Sequence, residues 1–362
     1  MKYETKNKIA LFGVYLTGLC AAVVFLLVRV RGATEWVIHT DDYYSGRDLY
    51  KNHYIEHFRE SHPAFDQSFT SRVPAYRESP DHPALDEADL LIFGDSFMNF
   101  RWLPSFPERL GEQLDRKVHF AMDHYPHRYL QEQEAEKCTD EKLLLFAIGE
   151  RGIREGFYVR GIHATEGSQR RRDHKTPFFR MLTEGRAEER YSGLLQLSVL
   201  THRLYKWIAT RKFDWFGYIS PTTPVYSLDP PILFYYSTVD ESASSIQYQH
   251  PTREIETIVR RIANLHDSLL EVYGLRLVFM GIPNKISIHH DLVWDDAQYN
   301  DFLPRIQQGL EEQGIPFVDL YGPFSKSEEQ LYFLSDTHWN ENGIDLALQE
   351  ALTFLEENPD FP

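Results

Sequence analysis

Short apolar runs alternate with helical patterns over most of this chain. Residues 90–93, 118–122 and 142–148 are rich in consecutive apolar side chains, which predicts buried strands. Residues 275–282 and 315–320 repeat the pattern nearer the C-terminus. Strands that alternate with helices favour a parallel sheet with right-handed crossovers. The pattern therefore predicts an α/β fold with a central parallel sheet.

Apolar positions three and four residues apart predict the helices between these strands. One helix is expected to begin near Ser105. A second covers residues 255–269 and leads to Gly274, a favourable C-cap residue. Residues 299–310 and 344–355 carry two further helical faces. Each helix thus lies between predicted strands or after the last one, as a parallel sheet requires.

Two stretches depart from this alternation. Residues 155–250 are rich in aromatic residues and prolines, and we interpret them as an inserted, cap-like region near the active edge of the sheet. Residues 32–85 are polar and interrupted by prolines, which is typical of a stalk. The predicted organisation is a tail and membrane anchor at 1–31, a stalk at 32–85 and one domain at 86–362.

Residues 9–28 form an uncharged, largely apolar run of 20 residues, the length that crosses a bilayer as a helix. Arginines follow it where the cleavage site of a signal peptide would lie, so the run is predicted to remain as an anchor. Lysines dominate the short segment before it, which favours a cytoplasmic N-terminus. The chain is therefore expected to be a single-pass inner-membrane or plasma-membrane protein whose bulk is periplasmic or extracellular.

The charge balance narrows the range of partners. The 54 acidic residues outnumber the 38 basic ones, and the formal net charge of −16 disfavours nucleic acid as a partner. The two cysteines, Cys20 and Cys138, are not expected to pair because Cys20 lies within the apolar run. The cluster at 289–291 lacks the spacing of a ligand set, so neither a metal nor a cofactor is predicted.

Two short motifs carry the candidate chemistry. Gly94-Asp95-Ser96 follows the first apolar strand directly, and a turn there presents a serine at the carboxyl end of the sheet. Asp336-Thr337-His338-Trp339 lies far downstream, beyond the last predicted strand, in a loop expected on the carboxyl side of the same sheet. We interpret Ser96 as a nucleophile, His338 as its general base and Asp336 as the group that orients the imidazole.

An oxyanion would need preorganised hydrogen-bond donors. The Ser96 backbone N–H is the first candidate. The backbone at Gly149 and the side chains of Asn99 and Arg151 are further candidates for oxyanion or substrate binding. Glu150 allows two interpretations: a structural ion pair with Arg151 or a contact to substrate.

The two motifs together resemble the SGNH (GDSL-type) hydrolase superfamily, whose fold is a three-layer α/β sandwich. The Asp336–Trp339 motif is similar to that of alginate O-acetyltransferase-like proteins. The similarity extends over roughly residues 85–355, with the serine motif first, as in ordinary SGNH hydrolases. Three further segments fit this subgroup: Glu150-Arg151, Ile282-Pro283-Asn284-Lys285 and Leu331-Tyr332-Phe333.

The resemblance implies an exported, membrane-associated serine enzyme that transfers acetyl groups to a polysaccharide. It also implies a multispanning membrane O-acyltransferase as a partner that supplies the acetyl donor. Two alternatives stay open at this level. The same residues would serve a carbohydrate acetylesterase, in which water replaces the sugar hydroxyl. Otherwise the chain is a non-catalytic, glycan-binding or assembly subunit of an acetylation complex.

Overall fold

The computed structural model describes residues 55–58, 83–98, 105–122, 125–160, 202–219, 223–240, 242–294 and 299–359. The predicted anchor at 9–28 and most of the predicted stalk at 32–85 lie outside these residues. Within the part of the chain that is described, none of the helices combines the length and apolar composition needed to cross a bilayer.

Within the residues that the structure describes, five parallel strands form the central sheet, in the order β2-β1-β3-β6-β7. The predicted α/β fold with a central parallel sheet is confirmed. Each short strand consists of residues that are mostly buried, as expected for a sheet covered on both faces. The strands are β1 (Leu90–Phe93), β2 (Val118–Ala121), β3 (Lys142–Gly149), β6 (Leu275–Ile282) and β7 (Phe317–Val318).

The last strand is shorter than the apolar run 315–320 predicts. The Ile315 N–H donates to the Leu310 carbonyl at 2.9 Å and so finishes the preceding helix instead of joining the sheet. Pro316 has no N–H, although its carbonyl accepts from Phe279 at 3.0 Å. After the strand, Asp319 accepts the Gly322 N–H at 3.1 Å and starts the next helix. Only two residues therefore pair in the ladder.

Alternate side chains of the strands enter two separate apolar cores. Leu91 and Phe93 of β1 point to one core, whereas Leu90 and Ile92 point to the other. Helices cover both faces, so the sheet forms the middle layer. The first core is covered by α2 (Pro126–Glu132), α6 (Thr252–Tyr273) and α8 (Phe302–Glu312), and the second by α1 (Phe106–Leu114), α9 (Tyr321–Lys326) and α10 (Glu341–Glu357).

The helix ends follow local sequence signals. Ser105 precedes α1, and its N–H donates to the Glu108 carboxylate at 2.7 Å. Gly274 ends α6 in the left-handed region with φ 68°. The side chain of Asn340 accepts the Gly343 N–H at 3.1 Å and caps α10. These caps lie close to the predicted helix boundaries.

The region 155–250 contains regular elements that the apolar pattern does not predict. A π-helix (Arg154–Arg160) enters the region as the continuation of α3 (Glu150–Ile153). The elements that follow are α4 (His202–Phe216), the antiparallel hairpin of β4 (Val225–Leu228) and β5 (Pro231–Phe234), and α5 (Tyr236–Val239). The apolar residues of α4 are distributed around the helix, so its sequence shows no single apolar stripe.

A small third core joins part of this region to residues 55–58. Phe58 and Leu233 are fully buried there, next to Phe213 of α4. The Leu233 N–H donates to the Leu334 carbonyl at 2.9 Å, which ties the hairpin to the loop that carries Asp336 and His338. The hairpin therefore packs beside the candidate site.

Candidate active site

The fold brings Ser96, His338 and Asp336 together at the carboxyl edge of the sheet. The distance between Ser96 Oγ and His338 Nε2 is 2.8 Å. On the other side of the ring, His338 Nδ1 lies 2.5 Å from Asp336 Oδ1. His338 is 2 % exposed and Asp336 is 0 % exposed, whereas the serine is exposed. A hydrogen-bonded chain thus runs from a buried carboxylate to a hydroxyl that solvent can reach.

Asp336 holds the histidine through a single oxygen. Its Oδ1 accepts both from the His338 ring and from the His338 backbone N–H, the latter at 2.9 Å. Its Oδ2 is buried and has no hydrogen-bond partner among the described residues. The orientation of the imidazole therefore depends on the Oδ1 position.

Asp95 fixes the turn that presents Ser96. Its Oδ1 accepts the Phe97 N–H at 2.9 Å, and its Oδ2 accepts the Gly149 N–H at 2.9 Å. The carboxylate thereby joins the end of β1 to the end of β3. The sequence prediction assigned Asp95 no role of its own, although the residue lies within the serine motif.

The same bond corrects the expectation for Gly149. Its amide was a candidate oxyanion donor, but it donates to Asp95 and so is not directed toward a substrate. The position is also tight, because a Cβ there would lie 3.1 Å from Asp95 Oδ2. Gly149 therefore supports the serine turn through its hydrogen bond to Asp95.

The histidine is carried by a tight loop that crosses back on itself. The Phe333 N–H donates to the His338 carbonyl at 3.1 Å, and the Asn340 N–H donates to the Leu331 carbonyl at 2.9 Å. Trp339 is fully buried, and its Nε1 donates to the Phe97 carbonyl at 2.8 Å. The tryptophan next to the histidine thus bonds directly to the turn that carries the serine.

Glu150 lies in the interior and connects three elements. Its carboxylate accepts from the Asn284 N–H at 2.8 Å, the Ser287 hydroxyl at 2.6 Å and the Tyr299 hydroxyl at 2.7 Å. Burial raises the pKa of the Glu150 carboxyl, while these donors oppose the rise. With 5 % exposure it does not reach a substrate. The three donors give Glu150 a structural role that the sequence analysis did not predict.

Lys285 begins α7 (Lys285–His289) and is a second buried link near the site. Its ammonium donates to the carbonyls of Leu233, Phe333 and Leu334 at 2.9, 2.7 and 3.2 Å. A solvated loop lysine is the simple expectation for this position, but the residue is only 5 % exposed. It ties the hairpin, the end of β6 and the histidine loop into one unit.

Arg151 lies two residues beyond Gly149 at the same sheet edge. Its guanidinium carbon is 5.3 Å from the centre of the Tyr235 ring, and the rings of Tyr235 and Tyr236 are 4.7 Å apart. Tyr236 is 42 % exposed. Asn99, the remaining candidate, lies outside the described residues.

Comparison with known proteins covers the C-terminal part of the chain. Residues 235–361 match the family model described as the SGNH hydrolase-like domain of acetyltransferase AlgX. The matched segment contains Asp336 and His338 but not Ser96. No curated protein and no solved structure matched the chain. The predicted resemblance is therefore confirmed over residues 235–361, the segment that this family model matches.

Proposed function

We propose that this chain is a membrane-anchored, extracytoplasmic serine O-acyltransferase that acetylates a polysaccharide. The hydrogen-bonded chain from Asp336 through His338 to Ser96 carries the proposal, because an activated nucleophile needs this order of groups. The family match over residues 235–361 supports acetyl transfer as the reaction. The apolar run at 9–28 supports anchoring.

In the first half of the reaction, His338 Nε2 takes the Ser96 hydroxyl proton while Oγ attacks the acetyl carbonyl. The tetrahedral intermediate collapses, the bond to the donor oxygen breaks, and the imidazolium returns its proton to the departing group. In the second half, His338 takes the proton of a sugar hydroxyl whose oxygen attacks the acetyl carbonyl. The bond from that carbonyl to Ser96 Oγ then breaks, and the imidazolium returns the proton to Oγ.

The oxyanion of both halves needs a fixed donor. The Ser96 backbone N–H is the donor that we assign. Asp95 and Trp339 hold the residue that follows it through the Phe97 N–H and carbonyl, both at 2.9 Å or less. An amide in so constrained a turn requires little reorganisation when negative charge develops.

The acceptor is expected to bind beside Arg151 and the Tyr235–Tyr236 pair. A guanidinium can recognise sugar hydroxyls or a uronic carboxylate, and exposed tyrosine rings stack on sugar faces. The arginine follows Gly149, which is bonded to the serine turn, so bound sugar would lie next to Ser96. A multispanning O-acyltransferase is the proposed source of the acetyl group.

The test is ester turnover by the purified full chain in detergent. p-Nitrophenyl acetate serves as donor, with and without neutral and uronic-acid oligosaccharides as acceptors. Acetylated oligosaccharide that depends on Ser96 supports the transferase. Ser96→Ala should abolish turnover, whereas Ser325→Ala, which changes an exposed serine of α9, should not.

The exposure of Ser96 favours one alternative, an acetylesterase, because water can reach the acyl-enzyme. Ser96-dependent hydrolysis that no oligosaccharide diverts into transfer would support it. Equal turnover by wild type and Ser96→Ala would overturn both enzyme proposals and favour a binding subunit. Arg151→Gln should reduce transfer more than hydrolysis, with Arg160→Gln as the matched control.

A further inference from the structure

Helix α4 and the residues after it expose a group of large aromatic side chains. Trp207, Trp215 and Phe216 are 56, 66 and 77 % exposed, and Tyr218 is 59 % exposed. Aromatic residues are usually buried for most of their surface, and a contiguous exposed group marks an interaction site. We refer to these four residues as the aromatic face.

The opposite side of α4 is already occupied. Phe213 is 9 % exposed and packs against Phe58, with ring centres 5.5 Å apart. Trp207, Arg211 and Trp215 are spaced four residues apart and follow one side of the helix, with the two tryptophans about 12 Å apart along its axis. Around the helix, Trp207 lies about 120° and Trp215 about 160° from Phe213, so both tryptophans are directed away from the side that packs against Phe58.

The charge around the aromatic face is opposite to that of the whole chain. Residues 202–219 contain four basic residues and one acidic residue, whereas the chain carries a formal charge of −16. The acidic residue, Asp214, is paired with His57 at 2.8 Å and with Arg211 at 3.3 Å. Lys212 Nζ lies 5.4 Å from the Tyr218 ring centre. An acidic protein thus presents a locally basic, aromatic surface.

This surface also lies where the chain emerges from the proposed anchor. Residues 55–58 dock on α4, and the Glu56 N–H donates to Thr210 Oγ1 at 3.1 Å. The apolar run ends at residue 28, so only 26 residues separate it from the docked segment. The aromatic face is therefore held within chain reach of the bilayer that the run would enter.

We propose that the aromatic face lies in the headgroup region of the anionic membrane that residues 9–28 enter. Tryptophan and tyrosine favour that region, and basic residues beside them attract anionic lipid. The rings of Trp215 and Phe216 are inclined at 87°, so they form no flat platform for a sugar. The contact rests on the anchor of the proposed function, but not on its chemistry.

The contact would orient the candidate active site relative to the membrane. The third core links α4 to the hairpin, and the hairpin bonds to the histidine loop through Leu233 and Leu334. A bilayer bound by α4 would therefore hold the carboxyl edge of the sheet at a defined height.

The experiment uses the full chain in nanodiscs of phosphatidylcholine and phosphatidylglycerol at a ratio of about 7:3, a choice set by the basic charge of the face. Lipid brominated on the upper part of its acyl chains quenches tryptophans that lie just below the headgroups. Trp215→Phe should remove a clear share of the tryptophan fluorescence that brominated lipid quenches in the wild type. Trp294→Phe, a substitution in the body of the domain, is the matched control and should leave that share within twofold of wild type.

Equal quenching losses in the two variants, with the chain still resistant to carbonate extraction, would overturn the proposal. Carbonate-soluble protein would instead show that the anchor had failed. Cross-linked dimers that bury the face, or shielding of Trp215 by oligosaccharide alone, would also overturn it in favour of a second copy or a glycan. The double variant Arg211→Glu/Lys212→Glu should weaken quenching only when anionic lipid is present.

Discussion

Replacing Asp336 by asparagine separates orientation of the imidazole from stabilisation of its charge. Oδ1 accepts both N–H groups of His338, and Oδ2 has no partner among the described residues. An asparagine can therefore place its carbonyl oxygen at the Oδ1 position and keep the same tautomer of His338. Its amide nitrogen then takes the position of Oδ2. What it removes is the negative charge beside the imidazolium.

The charge is worth a calculable amount. A unit charge pair about 4 Å apart interacts with about 4 kcal/mol at an effective dielectric constant of about 20. Both side chains are almost completely buried, at 3 and 0 % exposure, so solvent screens the pair little. Asp336→Asn should then lower kcat by about 10³-fold. A loss near 10⁴-fold is typical where the wrong tautomer is selected.

Hydrolysis of p-nitrophenyl acetate measures the effect, with Ser96→Ala as the baseline. The matched control is Asp319→Asn, which makes the same change in a carboxylate that accepts from Gln307 and Gly322 away from the site. We expect that control to stay within about threefold of wild type. An Asp336→Asn enzyme within about tenfold of wild type would refute the reasoning and reduce Asp336 to a structural cap.

Three further substitutions test the supports of the site. Asp95→Asn sets an amide N–H against another N–H, so we expect about 1–3 kcal/mol less stability in urea and a lower kcat. Unchanged kcat at lower stability would contradict positioning by Asp95. Folding raises the pKa of Glu150, so the folded state binds that proton more tightly and wild-type stability falls as pH rises through the raised pKa. The stability of Glu150→Gln relative to wild type should therefore increase as the pH rises above the ordinary pKa of the carboxyl and through its raised value, and a constant urea-midpoint difference would contradict this. Gly343→Ala sets a Cβ against the Leu331 carbonyl and 2.6 Å from Trp339 Cβ. It should cost about 1–3 kcal/mol. Gly152→Ala, whose Cβ would come no nearer than 3.3 Å to Ile148 Cγ1, should unfold at a clearly higher temperature.

The central sheet was accessible to sequence reasoning because each parallel strand is buried on both faces. A buried strand must be apolar at consecutive positions, so 90–93 and 275–282 coincide with β1 and β6. Helices that bury one face can also be predicted from the spacing of their apolar residues, and α6 ends at Gly274 as predicted. The hairpin and α4 were not predicted, because their apolar residues either pack in a small core or remain exposed. The apolar positions therefore follow no single helical or strand periodicity.

The two motifs also supplied the residue types of the candidate site, but not the hydrogen-bond partners of its supporting residues. Sequence alone determined that a serine and an Asp-x-His turn follow strands of one sheet, because parallel strands all present their carboxyl ends at one edge. Tertiary structure decided that Asp95 takes the Gly149 amide and that Glu150 and Lys285 face inward. Each of those outcomes depends on which buried donors and acceptors meet after packing, over as many as 149 positions between Glu150 and Tyr299. Local pattern carries no information about such a meeting, because buried polar groups bond to whatever partner the fold brings near.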